Sequence, residues 1–164
     1  MYILKSLLFI ILVPGTVVVL IPYNLEPSKF KWFTFTFDLI HLTGFAFITA
    51  GALISFFCVR EFIFNGKGTP APIDPPKKLV IKGLYQFSRN PMYLGVLLLL
   101  FGEAIFFQSI SLLIYSGCVF LVFHLFVVYY EEPTLKRKFN NSYQIYCDTV
   151  PRWFPKMHNI QNYI

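Results

Sequence analysis

The chain has 164 residues, of which 56% are hydrophobic, 20% aromatic and 13% charged. A soluble domain of that length needs far more polar surface, so the composition excludes a water-soluble globule and leaves one small integral membrane domain over residues 1–164. The formal net charge of +6 resides in lysines and arginines outside the apolar runs, with no basic run interleaved with exposed aromatics, so nucleic acid is not an expected partner.

The first span is expected over residues 2–21. Lys5 precedes an apolar stretch from Ser6 to Ile21, and no small-x-small cleavage site follows, so a retained helix is expected rather than a cleaved signal. Pro14-Gly15 should kink it, which helices in lipid tolerate. Pro22 and Pro27 bracket a short polar loop, and Trp32 with its neighbouring phenylalanines reads as an aromatic belt.

A second span is expected over residues 37–58. Gly44 and Gly51 are seven apart, share a face and would admit a neighbouring helix closely. The stretch 60–90 is then a cytoplasmic loop, with GKGTPAPIDPP over residues 66–76 too rich in proline and glycine for a helix or a central strand.

A third span is expected over residues 91–107, opened by Asn90 as N-cap and Pro91 at the first helical position. Gln108-Ser109 makes a tight turn into a fourth span over residues 110–130, so spans three and four form an antiparallel hairpin. Pro133 should end or bend that helix. Over residues 133–148, Leu135, Phe139, Tyr143 and Tyr146 recur at helical spacing against polar faces, as in an amphipathic helix on the membrane surface.

The expected fold is therefore an all-α integral membrane protein with about four transmembrane helices and a cytoplasmic C-terminal amphipathic helix. Lysine and arginine crowd one side, leaving Lys29 and Lys31 on the other, so both termini are expected in the cytoplasm, in a bacterial inner membrane or an endoplasmic-reticulum-type membrane. Cys58, Cys118 and Cys147 show no CxxC spacing, so neither a disulfide framework nor a metal site is expected.

Chemistry gathers at the cytoplasmic edge. The start of span three offers free N–H groups from Asn90 to Tyr93, which favour a carboxylate or phosphate, and Arg89 adds a fixed cation. Glu131 and Glu132 at the end of span four suit hydroxyl and amine donors or a cation. Tyr85 and Tyr93 supply ring faces for a planar base or an onium centre. One ligand uses all of these: a zwitterion with a carboxylate, a sulfonium, a ribose and an adenine, which describes S-adenosylmethionine. Against this stands a plainer reading, in which the glutamates are a solvated helix end and Asn-Pro is a cap.

The run Gly83-Leu84-Tyr85-Gln86-Phe87-Ser88-Arg89-Asn90-Pro91-Met92-Tyr93-Leu94-Gly95, then an apolar hairpin, then Glu131-Glu132-Pro133-Thr134-Leu135 and Val150-Pro151-Arg152, resembles the isoprenylcysteine carboxyl methyltransferase family and the related phospholipid methyltransferases. The resemblance covers Lys77 to Pro155. It implies a membrane enzyme that binds S-adenosylmethionine near the cytoplasmic face. It further implies cofactor contacts from Leu79, Val80, Tyr85, the Asn90-Pro91-Met92-Tyr93 element, Glu131 and Glu132. The chain departs from the pattern at four places: Asn90 and Lys77 stand where prenylcysteine enzymes have histidine, Val127 where an arginine binds the substrate carboxylate, and Asn140 where glycine is usual. Asn90 can cap and donate but cannot carry a proton.

The expected reaction is direct methyl transfer to a small or lipid-like nucleophile, a carboxylate, amine or thiol, with the bilayer and a lipophilic or small-molecule acceptor as partners. His124, seven residues before Glu131, is expected on the same helix face and about 10 Å deeper, where it could assist as a base. The alternative is a non-catalytic four-helix protein of transport or assembly, in which Glu103, Asp38 and His41 would line a pore.

Overall fold

The structure is a computed structural model and describes residues 13–27, 38–61 and 79–155. The first half of the first expected span, the belt around Trp32, the loop at 66–76 and Lys77 lie outside the described residues. Within them, every regular element is helical: α1 over Val13–Leu25, α2 over Leu39–Glu61, α3 over Pro91–Phe106, α4 over Ile110–Phe126 and α5 over Glu132–Thr149. A 3-10 turn at Gly83–Gln86 precedes α3.

Proline marks the irregular turns. Pro22 follows a π turn at Thr16–Leu20 within α1. Pro133 follows a π turn at Val127–Glu131 that joins α4 to α5. Proline has no N–H to donate to the preceding turn, and shifting to i→i+5 bonding absorbs the misfit without ending the helix. The Thr134 hydroxyl donates to the Tyr130 carbonyl at 2.7 Å, which satisfies an acceptor beside the proline. The expected stop or bend at Pro133 is thus a local widening of a continuous helix.

α3 is the central helix, with α2 against one side and α1 and α4 against the other. The α2–α3 seam is closed by glycine. A Cβ on Gly51 would lie 2.6 Å from the Gly95 carbonyl oxygen, and one on Gly95 would lie 2.5 Å from the Ser55 hydroxyl. The backbones meet there as the spacing of Gly44 and Gly51 led one to expect. Opposite, Val18 of α1, Val96 and Leu100 of α3 and Val119 of α4 form one apolar cluster. The Tyr115 hydroxyl donates to the Val17 carbonyl at 2.9 Å and ties α4 to the π turn of α1.

The α3–α4 hairpin turns at Phe107, Gln108 and Ser109, with Gln108 at φ 47°. Ser109 caps α4 by accepting from Leu112 N at 3.2 Å, and its hydroxyl donates to Glu26 at 2.7 Å. At the start of α2, His41 pairs with Asp38 at 2.5 Å and packs edge-on against Phe106. The Oε2 atom of Glu103 in α3 is buried with no hydrogen-bond partner among the described residues.

The greasy surface faces outward. The most apolar window of α2 has mean hydropathy 2.0 with 17% of it buried, and that of the helical run Ile110–Thr149 has 2.3 with 22% buried. Both helices are long and apolar enough to cross a bilayer. A core helix of a soluble protein would hide such a surface, whereas here Leu39, Phe56 and Ile110 are exposed. α1 and α3 are shorter; 16 residues in α3 span about 24 Å.

The aromatic side chains of α5 lie on protein. Tyr143, Tyr146 and Val150 are buried together against Leu79, Ile81, Leu135 and Phe139. Asn140 interrupts the helix with φ 45° and ψ −120°, a conformation that favours glycine. The departure to asparagine at this position therefore stores strain.

Candidate active site

The two segments singled out in the sequence meet at one end of the bundle, where α3 begins and the α4 helix ends. Their direct link is a hydrogen bond from the Tyr93 hydroxyl to Glu131 Oε2 at 2.8 Å. The first intrahelical bond of α3 is donated by Leu94 N to the Asn90 carbonyl at 3.2 Å, so Met92 and Tyr93 direct their N–H groups out of the helix start. Pro91 occupies the first helical position, as expected.

Asn90 stands at the N-cap, yet its side chain makes no cap bond. Instead its Nδ2 donates to the Arg152 carbonyl at 3.1 Å. The Ser88 hydroxyl donates to the same carbonyl at 3.1 Å, and Arg89 N donates to the Pro151 carbonyl at 2.9 Å. The stretch Val150–Pro155 is in this way strapped to the entrance of α3. The Tyr146 hydroxyl adds a bond to the Tyr85 carbonyl at 2.7 Å.

Glu132 faces the strap. Arg152 grips it with a two-pronged fork, Nε to Oε1 at 2.7 Å and Nη2 to Oε2 at 2.9 Å. Arg89 Nη1 stands 3.1 Å from the same Oε1 and donates to the Cys147 sulfur at 2.8 Å. Bidentate guanidinium–carboxylate pairs are the strong, geometrically specific kind. The carboxylate holds the Arg152 guanidinium above its ordinary range.

Glu131 is different in kind. Burial pushes its carboxyl above the usual range; the Tyr93 hydroxyl bond pulls it back, and the neighbouring Glu132 charge pushes it further up. Its Oε1 has no bond among the described residues. A half-buried carboxylate with an unused oxygen is a receptor for hydroxyl or amine donors.

The aromatic wall of the site was not legible from the motifs. Trp153, in the strap, donates its indole N–H to His124 Nδ1 at 3.1 Å and lies over that ring at a centroid distance of 6.1 Å. Phe120 packs on Trp153 at 5.5 Å, and Tyr93 packs on Phe123 at 4.8 Å and on Trp153 at 6.5 Å. From Phe120 an apolar groove of about 410 Å³ runs between α3 and α4, lined by Leu94, Leu97, Phe101, Leu113 and Gly117 among others.

The sequence-predicted residues thus sort into three sets. Tyr93, Glu131 and His124 converge on Trp153, directly or through Tyr93. The π turn places an extra residue between His124 and Glu131, so the two do not share a face as straight α-helical spacing would have it. Arg89, Asn90 and Glu132 form the polar clamp on the strap. Val80 and Tyr85 are buried with Cys58, with Met92 packed on them, and Leu79 lies against the Tyr143–Tyr146 cluster. Burial also pushes the Tyr85 hydroxyl upward, as befits a ring held in a packed layer. Arg152 closed the quoted Val150-Pro151-Arg152 motif without a role, and Trp153 follows it directly. The signal for them was the arginine, which needs an acidic partner when drawn into a site beside two glutamates.

The model of the phospholipid methyltransferase family matches residues 39–142, more than half of the chain. The match runs from α2 through the first part of α5 and takes in both Tyr93 and Glu131. No curated protein and no solved structure matches the chain.

Proposed function

The chain belongs to the phospholipid methyltransferase family, and from that premise we propose that it moves a methyl group from S-adenosylmethionine to a lipid-borne nucleophile at the cytoplasmic membrane face. The observation that carries this reading is the Tyr93–Glu131 bond, which joins the two motif segments at the head of an apolar groove. Two reactants of opposite solubility need such a junction: a polar receptor on one side and a lipid-sized channel on the other.

The residues fit the donor. Glu131 offers its unused oxygen to ribose hydroxyls or an amino group, and the Met92 and Tyr93 N–H groups at the start of α3 suit the carboxylate end. Tyr93 and Trp153 present aromatic faces to a sulfonium. S-adenosylmethionine, when bound, supplies a methyl carbon that bonds to the nucleophile's lone pair as the carbon–sulfur electron pair returns to sulfur. The protein's share is to align the partners and keep water out. Arg89, Asn90, Glu132 and Arg152 hold the strap, so Trp153 closes the site from the side of solvent. An amine acceptor gives up its proton to solvent before it attacks.

Calorimetry on the purified protein in detergent tests this. S-adenosylmethionine or S-adenosylhomocysteine is expected to bind, and Glu131→Ala to weaken binding at least about 10-fold, the loss of one charged hydrogen-bond acceptor. No binding by the unaltered protein overturns the function; equal binding by Glu131→Ala overturns the site.

A further inference from the structure

His124 packs on Phe120, which lines the groove, and its hydrogen bond runs in an unexpected direction. The indole N–H of Trp153 can only donate. The ring nitrogen it meets, Nδ1 at 3.1 Å, must therefore present its lone pair, and in the neutral ring the hydrogen is on Nε2. The conclusion survives turning the ring over, because whichever nitrogen faces Trp153 accepts and the other one donates. A histidine built as a general base has the opposite wiring: an acceptor, commonly a carboxylate, takes the second N–H and leaves a lone pair free for the substrate.

The surroundings agree. Phe120 of α4 packs on His124 at 6.1 Å and Phe120 also forms the end of the groove. From α3, Tyr93 faces the cluster with its hydroxyl committed to Glu131. From the strap, Arg152 stands next to Trp153 with its guanidinium committed to Glu132. Glu132 is thus engaged elsewhere and Glu131 is held through Oε2 by Tyr93, and among the described residues no carboxylate oxygen accepts from the His124 ring.

We propose that Trp153 fixes His124 as a hydrogen-bond donor, and that His124 positions an anionic oxygen of the lipid acceptor at the head of the α3–α4 groove instead of removing a proton from it. The inference rests on the methyltransferase reading and deepens it. Trp153 is then a positioning residue that acts through His124. A donor at this place ranks acceptors by the oxygen beside the nucleophile, while the groove ranks them by their chain.

The test uses the full chain in detergent, labelled methyl from S-adenosylmethionine, and three acceptors. Phosphatidylethanolamine supplies a phosphate oxygen, palmitate a carboxylate, and octadecylamine neither. His124→Phe is expected to raise KM for the acceptor that carries the recognised oxygen about 10-fold, with kcat and the rising limb of its pH profile nearly unchanged. Octadecylamine is expected to be indifferent to the change, and His124→Gln, which restores a donor, to recover most of the affinity. Nitrogen-15 spectra of the imidazole, which need no turnover, are expected to show a single tautomer in the unaltered protein and a mixture in Trp153→Phe. A rising limb lost in His124→Phe, a Gln variant as poor as the Phe variant, or a hydrogen on the nitrogen facing Trp153 each overturns the proposal. If no acceptor is methylated by any variant while the single tautomer persists, the methyltransferase reading falls, and with it the positioning role, leaving the Trp153–His124 pair as packing.

Discussion

The two long faces of α3 are built on opposite rules. Toward α2 it presents Gly95 and Gly102, and a methyl group on Gly102 would lie 2.7 Å from the Ile48 nitrogen. Toward α4 it presents Leu94, Leu97 and Phe101, which leave an apolar groove of about 410 Å³. One face is a backbone-to-backbone weld and the other is a channel held open by large side chains. The contrast shows how four helices with nearly uniform hydrophobicity acquire direction. In lipid there is no hydrophobic gain from burying leucine, so close approach must come from small residues, and spaces persist where those are lacking.

The sharpest way to break that contrast is to add bulk on each side in turn. Gly95→Leu drives carbon into the Ser55 region and the α2 backbone, and is expected to cost roughly 3 kcal/mol or more, seen as lost monodisperse protein in detergent. Gly117→Leu lies in the groove, where an added Cβ meets nothing within 4 Å. It is expected to leave thermal stability nearly unchanged while raising KM for long-chain acceptors. Equal damage from both changes would show that the groove is a packed interface after all.

Next in size is the clamp. Glu132→Gln removes the carboxylate gripped by Arg152 and Arg89, and is expected to cost about 2 kcal/mol and loosen the strap. Protease cleavage near Trp153 measures the loosening. Glu131→Gln should behave differently. Burial raises the Glu131 carboxyl in the folded state, so its contribution to stability is fully present at pH below the ordinary glutamate value and is lost as pH rises through the raised one. The amide variant is therefore expected to match or exceed the unaltered protein in melting temperature at neutral pH, with the difference narrowing in acid, even as S-adenosylmethionine binding drops. The smallest expected effect is at Asn140, where φ is 45° and ψ −120°. Asn140→Gly is expected to stabilise by about 0.5–1 kcal/mol and Asn140→Ala to destabilise by about as much, both read as shifts in melting temperature.

The helices were legible because lipid forces apolar length on them, and the Asn90-Pro91 start and the Gln108-Ser109 turn are local signals. The meeting of Tyr93 with Glu131 followed from motif order and hairpin topology. What escaped was set by tertiary partners. Asn90 was read as a cap, but the Arg152 carbonyl competes for its amide. The stripe of α5 was read as lipid-facing, but Leu79 and Ile81 were available to cover it. The phase between His124 and Glu131 was miscounted because a π turn leaves no periodicity of its own to detect. Trp153 had no spacing at all to announce it: it reaches His124 across 29 residues because the strap folds back.

That fold-back gathers two independent fastenings into one short latch. Arg152 and Trp153 are neighbours, yet one reaches back to Glu132 and the other to His124. A single cut after Thr149 would therefore unfasten both at once and leave the helices that precede it with their own contacts.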